Sequence, residues 1–173
     1  GRTDLAIGAP YLSGIGRAYI FYSQNGQVNT NQSIAGETTD DAFGWALVTG
    51  DFNTDGRIDL AVGANGYSFG TGRAYIFYGD GQIPSAAATA DVTITGETTY
   101  DWFGTSLAAG DFNADGKTDL VVSATGYPDD FGTGRVYIFH NDGSIPTTAA
   151  TADVTITGEV DYDYFGASLA AGD

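Results

Sequence analysis

Short apolar or β-branched runs of four to eight residues, each closed by Gly, Asp, Asn or Pro, alternate along this chain in a fixed order. FGWALVTGD at 43–51, DLAVGAN at 59–65, GRAYIFYG at 72–79 and DVTITGE at 91–97 return as FGTSLAAGD at 103–111, DLVVSAT at 119–125, GRVYIFHN at 134–141 and DVTITGE at 153–159. Runs of this length and composition predict strands. No segment sustains a helical period, and the Ala-rich stretches Ser85–Ala90 and Thr147–Ala152 are expected to be loops between the third and fourth strands of a unit. The expectation is an all-β chain with four antiparallel strands per unit. Asp51, Asp111 and Asp173 are equivalent at spacings of 60 and 62 residues.

Between the first and second strands of each unit lies an acidic loop, DFNTDGRIDL at 51–60 and DFNADGKTDL at 111–120. Oxygen-bearing side chains stand at alternate positions, which suits a hard cation such as Ca²⁺ that takes six to eight oxygen ligands. The expected ligands are Asp51, Asn53, Asp55, the Arg57 carbonyl and Asp59, and then Asp111, Asn113, Asp115, the Lys117 carbonyl and Asp119. Gly56 and Gly116 fall where the chain must turn sharply. An EF-hand would need Glu at position twelve, where Val62 and Val122 stand, so the ninth-position Asp is expected to close the site from the first turn of a strand. A solvated Asp/Asn/Gly turn that binds nothing is the plainer alternative, but ordinary turns do not require the repeated carboxylate at position nine.

Four-stranded units in tandem predict β-propeller blades, which bury both faces of each small sheet against its neighbours. Phe43-Gly44 with Gly63-Ala64, Phe103-Gly104 with Ser123-Ala124, Phe165-Gly166 and the opening Gly8-Ala9-Pro10 resemble FG-GAP repeats, the blade type of the integrin α-subunit propeller. The resemblance covers essentially the whole chain and departs from the pattern only where Gly-Ala-Pro becomes GAN or SAT. Phe43, Phe103 and Phe165 are expected to pack between blades, and Tyr19, Tyr75 and Tyr137 to lie in the core or at blade interfaces.

About three blades are expected: a partial blade at 1–39, full blades at 40–99 and 100–160, and a first strand of another at 161–173. Asp4 and Asp173 would then be parts of a split third metal site. Three blades are fewer than the four to eight of closed propellers. The chain therefore reads either as a slice of a longer propeller or as a unit whose copies associate, two copies giving six blades.

Six basic against twenty-two acidic residues give a net charge of −16, which argues against a nucleic-acid partner. The chain has no Cys, so disulfides and thiolate metal sites are excluded. It also has no membrane-length apolar run, so no membrane insertion is expected. Calcium loops fill reliably where Ca²⁺ is millimolar, which points to an extracellular or cell-surface location. Asn31-Gln32-Ser33 is a glycosylation sequon of little weight alone.

In an up-and-down blade, calcium loops and the connections from second to third strand fall on opposite faces. The second face carries GYSFGTG, GYPDDFGTG, TTYDWFG and VDYDYFG, variable and rich in aromatics. The resemblance to the integrin propeller implies a protein or glycan ligand there, with Tyr67, Tyr100, Trp102, Tyr127, Asp129, Asp130, Tyr162 and Tyr164 as candidates; loop packing is the alternative for any one of them. Gly66-Tyr67-Ser68-Phe69-Gly70 matches the GxSxG nucleophile pattern, but it falls in a hairpin loop and His140 is the chain's single His. No catalysis is expected from this chain. Two further readings are a self-associating assembly module and a non-catalytic propeller part of a larger hydrolase.

Overall fold

The structure, a computed structural model, describes residues 4–24, 27–128 and 132–172. Three antiparallel sheets follow one another along the chain. The first holds β1 (Leu5–Ala9), β2 (Arg17–Gln24) and β3 (Gln27–Ala35). The second holds β4 (Leu47–Gly50), β5 (Asp59–Ala64), β6 (Arg73–Phe77) and β7 (Val92–Thr95), and the third β8 (Phe103–Gly110), β9 (Asp119–Ala124), β10 (Arg135–Phe139) and β11 (Val154–Thr157). Strands are ordered in space as in sequence, so each sheet is a meander. The Ala-rich stretches lie between the third and fourth strands and contain single 3-10 turns at Ala87–Thr89 and Ala149–Thr151. Residues 161–172 run as turns and irregular chain.

β5 is buried along its whole length because neighbouring sheets cover both its faces, and β9 because the second sheet covers one face while the irregular segment at Leu169 packs on the other. One core cluster joins the first sheet to the second through Ile20, Ile34, Phe43, Val62, Tyr75 and Phe77. Another joins the second to the third through Ile76, Ile94, Phe103, Val122, Tyr137 and Phe139. Phe43 meets Tyr75 edge-on at a centroid distance of 5.4 Å, and Phe103 meets Tyr137 in the same way at 5.4 Å. Tyr75 and Tyr137 are core residues as expected, whereas Tyr19 is only half-buried. Phe165 departs from Phe43 and Phe103: it is exposed, because no sheet among the described residues lies over it.

The sheets approach most closely at glycine. A Cβ at Gly63 in β5 would lie 2.1 Å from the Gly104 carbonyl oxygen, and one at Gly8 1.8 Å from that of Gly44. Only a residue without a side chain fits there. The third sheet has Ser123 at this position, and its Oγ accepts a hydrogen bond from Ser106 N at 2.9 Å.

Candidate metal centre and the opposite rim

Each acidic loop folds around its own carboxylates. In the first, Asp51 accepts from the amides of Asp55 (3.1 Å) and Gly56 (2.9 Å), Asn53 Oδ1 from Asp55 N (3.0 Å), and Asp55 Oδ1 from Arg57 N (2.8 Å). Asp59, buried at the start of β5, accepts from Phe52 N at 2.7 Å and from Gly79 N at 2.8 Å, tying the loop to the chain after β6. The second loop repeats this. Asp111 accepts from Asp115 N (3.1 Å) and Gly116 N (2.8 Å), Asn113 from Asp115 N (3.0 Å), Asp115 from Lys117 N (2.9 Å), and Asp119 from Phe112 N (2.9 Å) and Asn141 N (2.8 Å). Thr54 and Ala114 both take φ of 61°, with Gly56 at 82° and Gly116 at 84°, so the two turns have one backbone shape.

Alternate polar side chains thus serve first to satisfy the amides of a tight loop. A carboxylate retains lone pairs beyond those taken by one or two amides, so the hydrogen bonds do not use up its capacity as a ligand. Among the described residues, however, no group of three acidic or imidazole side chains is gathered tightly enough to hold a metal ion. The donor chemistry fits a hard cation, while the side chains lie turned toward the backbone. The electrostatics favour a cation: burial raises the Asp59 pKa above the usual carboxylate range, the Phe52 and Gly79 amides oppose this, and the charges of Asp55 and Asp51 add to it. In the second loop Lys117 Nζ lies 3.8 Å from Asp115, a partial counter-charge.

Asp4 occupies the ninth-position role in the first sheet, its Oδ1 accepting from Ser23 N at 3.0 Å as Asp59 does from Gly79. Asp173, the other half of the expected split site, lies outside the described residues, as do Asp129 and Asp130.

The other six aromatic candidates sit at the opposite ends of the strands, in or beside the β5–β6, β7–β8 and β9–β10 connections and after β11. Tyr67 and Tyr127 are each covered by an arginine, with Arg73 Cζ 3.7 Å and Arg135 Cζ 3.6 Å from the ring centroids. Those guanidinium groups also pair with Glu37 at 3.1 Å and Glu97 at 3.2 Å, so both tyrosines belong to repeated packing clamps. Trp102 and Tyr164 stack nearly parallel, 6.3 Å apart, on the wall of a cleft of about 560 Å³. Tyr100 and Tyr162 are exposed nearby in sequence, outside that wall.

Two residues of the cleft, Tyr11 and Trp45, were not singled out from sequence; they meet edge-on at 5.9 Å. Aligning the repeats would have flagged Trp45, which stands where the other units have Thr105 and Ala167. The buried Asp41 was missed too. It accepts from the amides of Glu37 and Thr38 and from the Thr38 hydroxyl, and so braces the loop before Phe43. Ser68 of the GxSxG match is exposed in a single turn, Tyr67–Gly70, where Ser68 and Phe69 have φ of 50° and 57°. His140 follows β10 at the acidic-loop end of the strands, so the fold does not bring it to Ser68.

Tandem four-stranded meanders with an acidic loop at the first hairpin define a class of blade-like repeats. Residues 43–77 and 103–139 each match the FG-GAP repeat model, and the chain carries FG-GAP repeats. It is 35% identical over 191 residues to mouse phosphatidylinositol-glycan-specific phospholipase D, a match covering 98% of this chain and 23% of that protein. It is 31% identical to the human phospholipase over the same shares, and 35% identical over 131 residues to mouse integrin alpha-IIb, covering 69% of this chain and 12% of the integrin. The chain thus spans less than a quarter of the length of these relatives.

Proposed function

We propose that this chain is an extracellular calcium-binding propeller module for adhesion or recognition, with calcium stabilising the hairpins and a protein or glycan bound at the opposite rim. The observation that carries the reading is the loop pair: two copies of one backbone shape, each with three carboxylates and an amide oxygen, joined to the following strands through Asp59 and Asp119. Asp51, Asn53, Asp55, Asp59 and the Arg57 carbonyl would hold the first ion; Asp111, Asn113, Asp115, Asp119 and the Lys117 carbonyl would hold the second. A bound Ca²⁺ supplies charge neutralisation and fixed loop geometry, and the chain's own amides keep the carboxylates oriented. Of the recognition candidates, Trp102 and Tyr164, joined by Trp45 and Tyr11, are favoured because they share one cleft.

Similarity to mouse integrin alpha-IIb supports the recognition reading. A second reading, a non-catalytic propeller part of a larger hydrolase, is supported by the similarity to a phospholipase D of which this chain spans 23%. Either way, no catalytic step is assigned to these residues. A glycan array and a surface-protein pull-down, run with the wild-type chain and with Trp102→Ala and Tyr164→Ala, test the recognition reading. Binding that both substitutions abolish is the expected result. Binding indifferent to both, or none in calcium, would remove the recognition role.

A further inference from the structure

The chain's two tryptophans, Trp45 and Trp102, belong to successive units and line one cleft of about 560 Å³ at the rim opposite the acidic loops. Ala42, Trp102 and Tyr164 stand one residue before the Phe-Gly pair of their repeats, and Trp45, Thr105 and Ala167 one residue after it. All six line the cleft, as do Asn65 and Thr125, which leave β5 and β9 at equivalent positions. Phe-Gly is the same in each repeat while the positions flanking it differ, so packing common to the repeats does not dictate the side chains gathered here. We propose that this cleft takes a neutral sugar unit of a glycan, its C–H face against the indole rings and its hydroxyls on Asn65 and the threonines beside it. The proposal rests on the recognition reading above and narrows its ligand from protein or glycan to an uncharged, hydroxyl-rich one.

The lining carries no charged residue, although the chain has a net charge of −16. The nearby carboxylates of Asp41 and Asp101 are buried, accept from the amides and hydroxyls of Thr38 and Thr98, and do not line the cleft. An anion would meet no cation on this wall, and a cation would be desolvated without a counter-ion; a neutral ligand avoids both costs. The polar floor suits hydroxyl groups. Asn65 Nδ2 donates to Thr105 Oγ1 at 3.3 Å, Thr125 Oγ1 donates to the same oxygen at 3.3 Å, and Thr105 Oγ1 donates to Trp102 O at 2.7 Å. Among the described residues this leaves the Asn65 amide oxygen, its second N–H and the acceptor capacity of Thr125 for a ligand. A sugar hydroxyl both donates and accepts, so it can use each of them. A few placed polar groups between aromatic walls, in a volume within the roughly 300–1,000 Å³ of small-ligand clefts, have the form such a site takes.

The rings are held in place by the backbone. Ala42, Trp102 and Tyr164 have φ of 54°, 55° and 50°, a left-handed conformation that is uncommon for a bulky residue, yet it recurs at this position in each repeat. Trp102 N donates to Gly70 O at 2.7 Å and Tyr164 N to Gly132 O at 2.6 Å. Their rings lie against the same glycines: a Cβ on Gly70 would come within 2.8 Å of Trp102 Cδ1, and one on Gly132 within 2.4 Å of Tyr164 Cε1. The two rings then stack on each other 6.3 Å apart at 10°. Aromatic walls fixed in this way lose little freedom when a ligand is bound, which lowers the ordering cost of binding.

Because both tryptophans of the chain line this cleft, intrinsic fluorescence reports its occupancy directly. The chain is titrated with neutral methyl hexosides and N-acetylhexosaminides, with sialylated and sulfated sugars, and with an oligolysine peptide. At least one neutral sugar is expected to shift the emission saturably, with little dependence on salt because no ion pair forms. Trp45→Ala, followed through Trp102, and Asn65→Ala should each weaken that binding at least about tenfold. Phe69→Ser, exposed at the same rim but outside the cleft, should leave it unchanged. A response to oligolysine or to the acidic sugars alone, neutral-sugar binding indifferent to both cleft substitutions, or no response to any neutral sugar up to tens of millimolar would overturn the proposal. The recognition reading would survive that result if a surface protein were still captured through Trp102, and would fall with it if nothing bound.

Discussion

Asp59→Asn separates the loop's own hydrogen bonding from the proposed metal binding, because this buried carboxylate accepts two amides and is also one of the proposed calcium ligands. Its two oxygens accept from Phe52 N at 2.7 Å and Gly79 N at 2.8 Å. An asparagine presents one oxygen and one NH₂, so one of the two amides loses its acceptor and faces another donor. An unsatisfied buried donor costs about 1–3 kcal/mol, which for a chain of this size corresponds to a fall in Tm of about 2–12 °C in EDTA. Part of this is offset, since the substitution also removes a carboxylate that burial and the Asp55 and Asp51 charges make harder to ionise. In calcium at a hundred times its Kd the wild type gains about 2.7 kcal/mol from this site and the variant does not, so the gap between them should widen by about that amount. Thermal and urea unfolding of both proteins, each in EDTA and in calcium, measure the four corners of the cycle. A gap of equal size in both conditions would refute the reasoning about metal; no gap in EDTA would refute the reasoning about hydrogen bonds.

Other substitutions test the packing. Gly63→Ala puts a Cβ 2.1 Å from the Gly104 carbonyl oxygen, so a stability loss of about 1–3 kcal/mol is expected by denaturant titration, and an unchanged midpoint would contradict the close approach. Tyr75 Oη is buried with no hydrogen bond of good geometry among the described residues, although Arg73 and Glu37 lie beside it, whereas Tyr137 Oη donates to Glu97 at 2.9 Å. Tyr75→Phe should therefore be neutral or stabilising and Tyr137→Phe cost about 0.5–1.5 kcal/mol; the reverse order would be decisive against this assignment. Burial also raises the pKa of Asp101, opposed by its bonds from the Thr98 hydroxyl and amide. The folded state then holds the proton more tightly than the unfolded state, so this group's contribution is complete below the ordinary Asp range and is lost as pH rises through the raised folded value. Asn can keep both Thr98 bonds, so wild-type stability relative to Asp101→Asn should fall with rising pH across the acid range; a rise would invert the account.

The strand order and the acidic hairpins were legible because both are local. Short apolar or β-branched runs set the strands, and the sixth-position Gly with its flanking carboxylates sets the loop. What sequence could not give was which exposed aromatics are committed elsewhere. Tyr67 and Tyr127 look like rim residues in the one-dimensional pattern, yet Arg73 and Arg135 from the next strands lie over their rings. Phe165 looks identical to Phe43 and Phe103, but its burial depends on a sheet beside it rather than on its own neighbours in sequence. The direction of the carboxylates was likewise beyond reach, because an oxygen that can ligate a cation can equally accept an amide proton.

Calorimetric titration of calcium into the metal-free chain tests the central claim most directly. The account expects binding at both acidic loops, with the Asp59→Asn and Asp119→Asn variants each losing one site and the double variant losing both. Heat of binding that persists in the double variant, or no binding at all up to millimolar calcium, would contradict it.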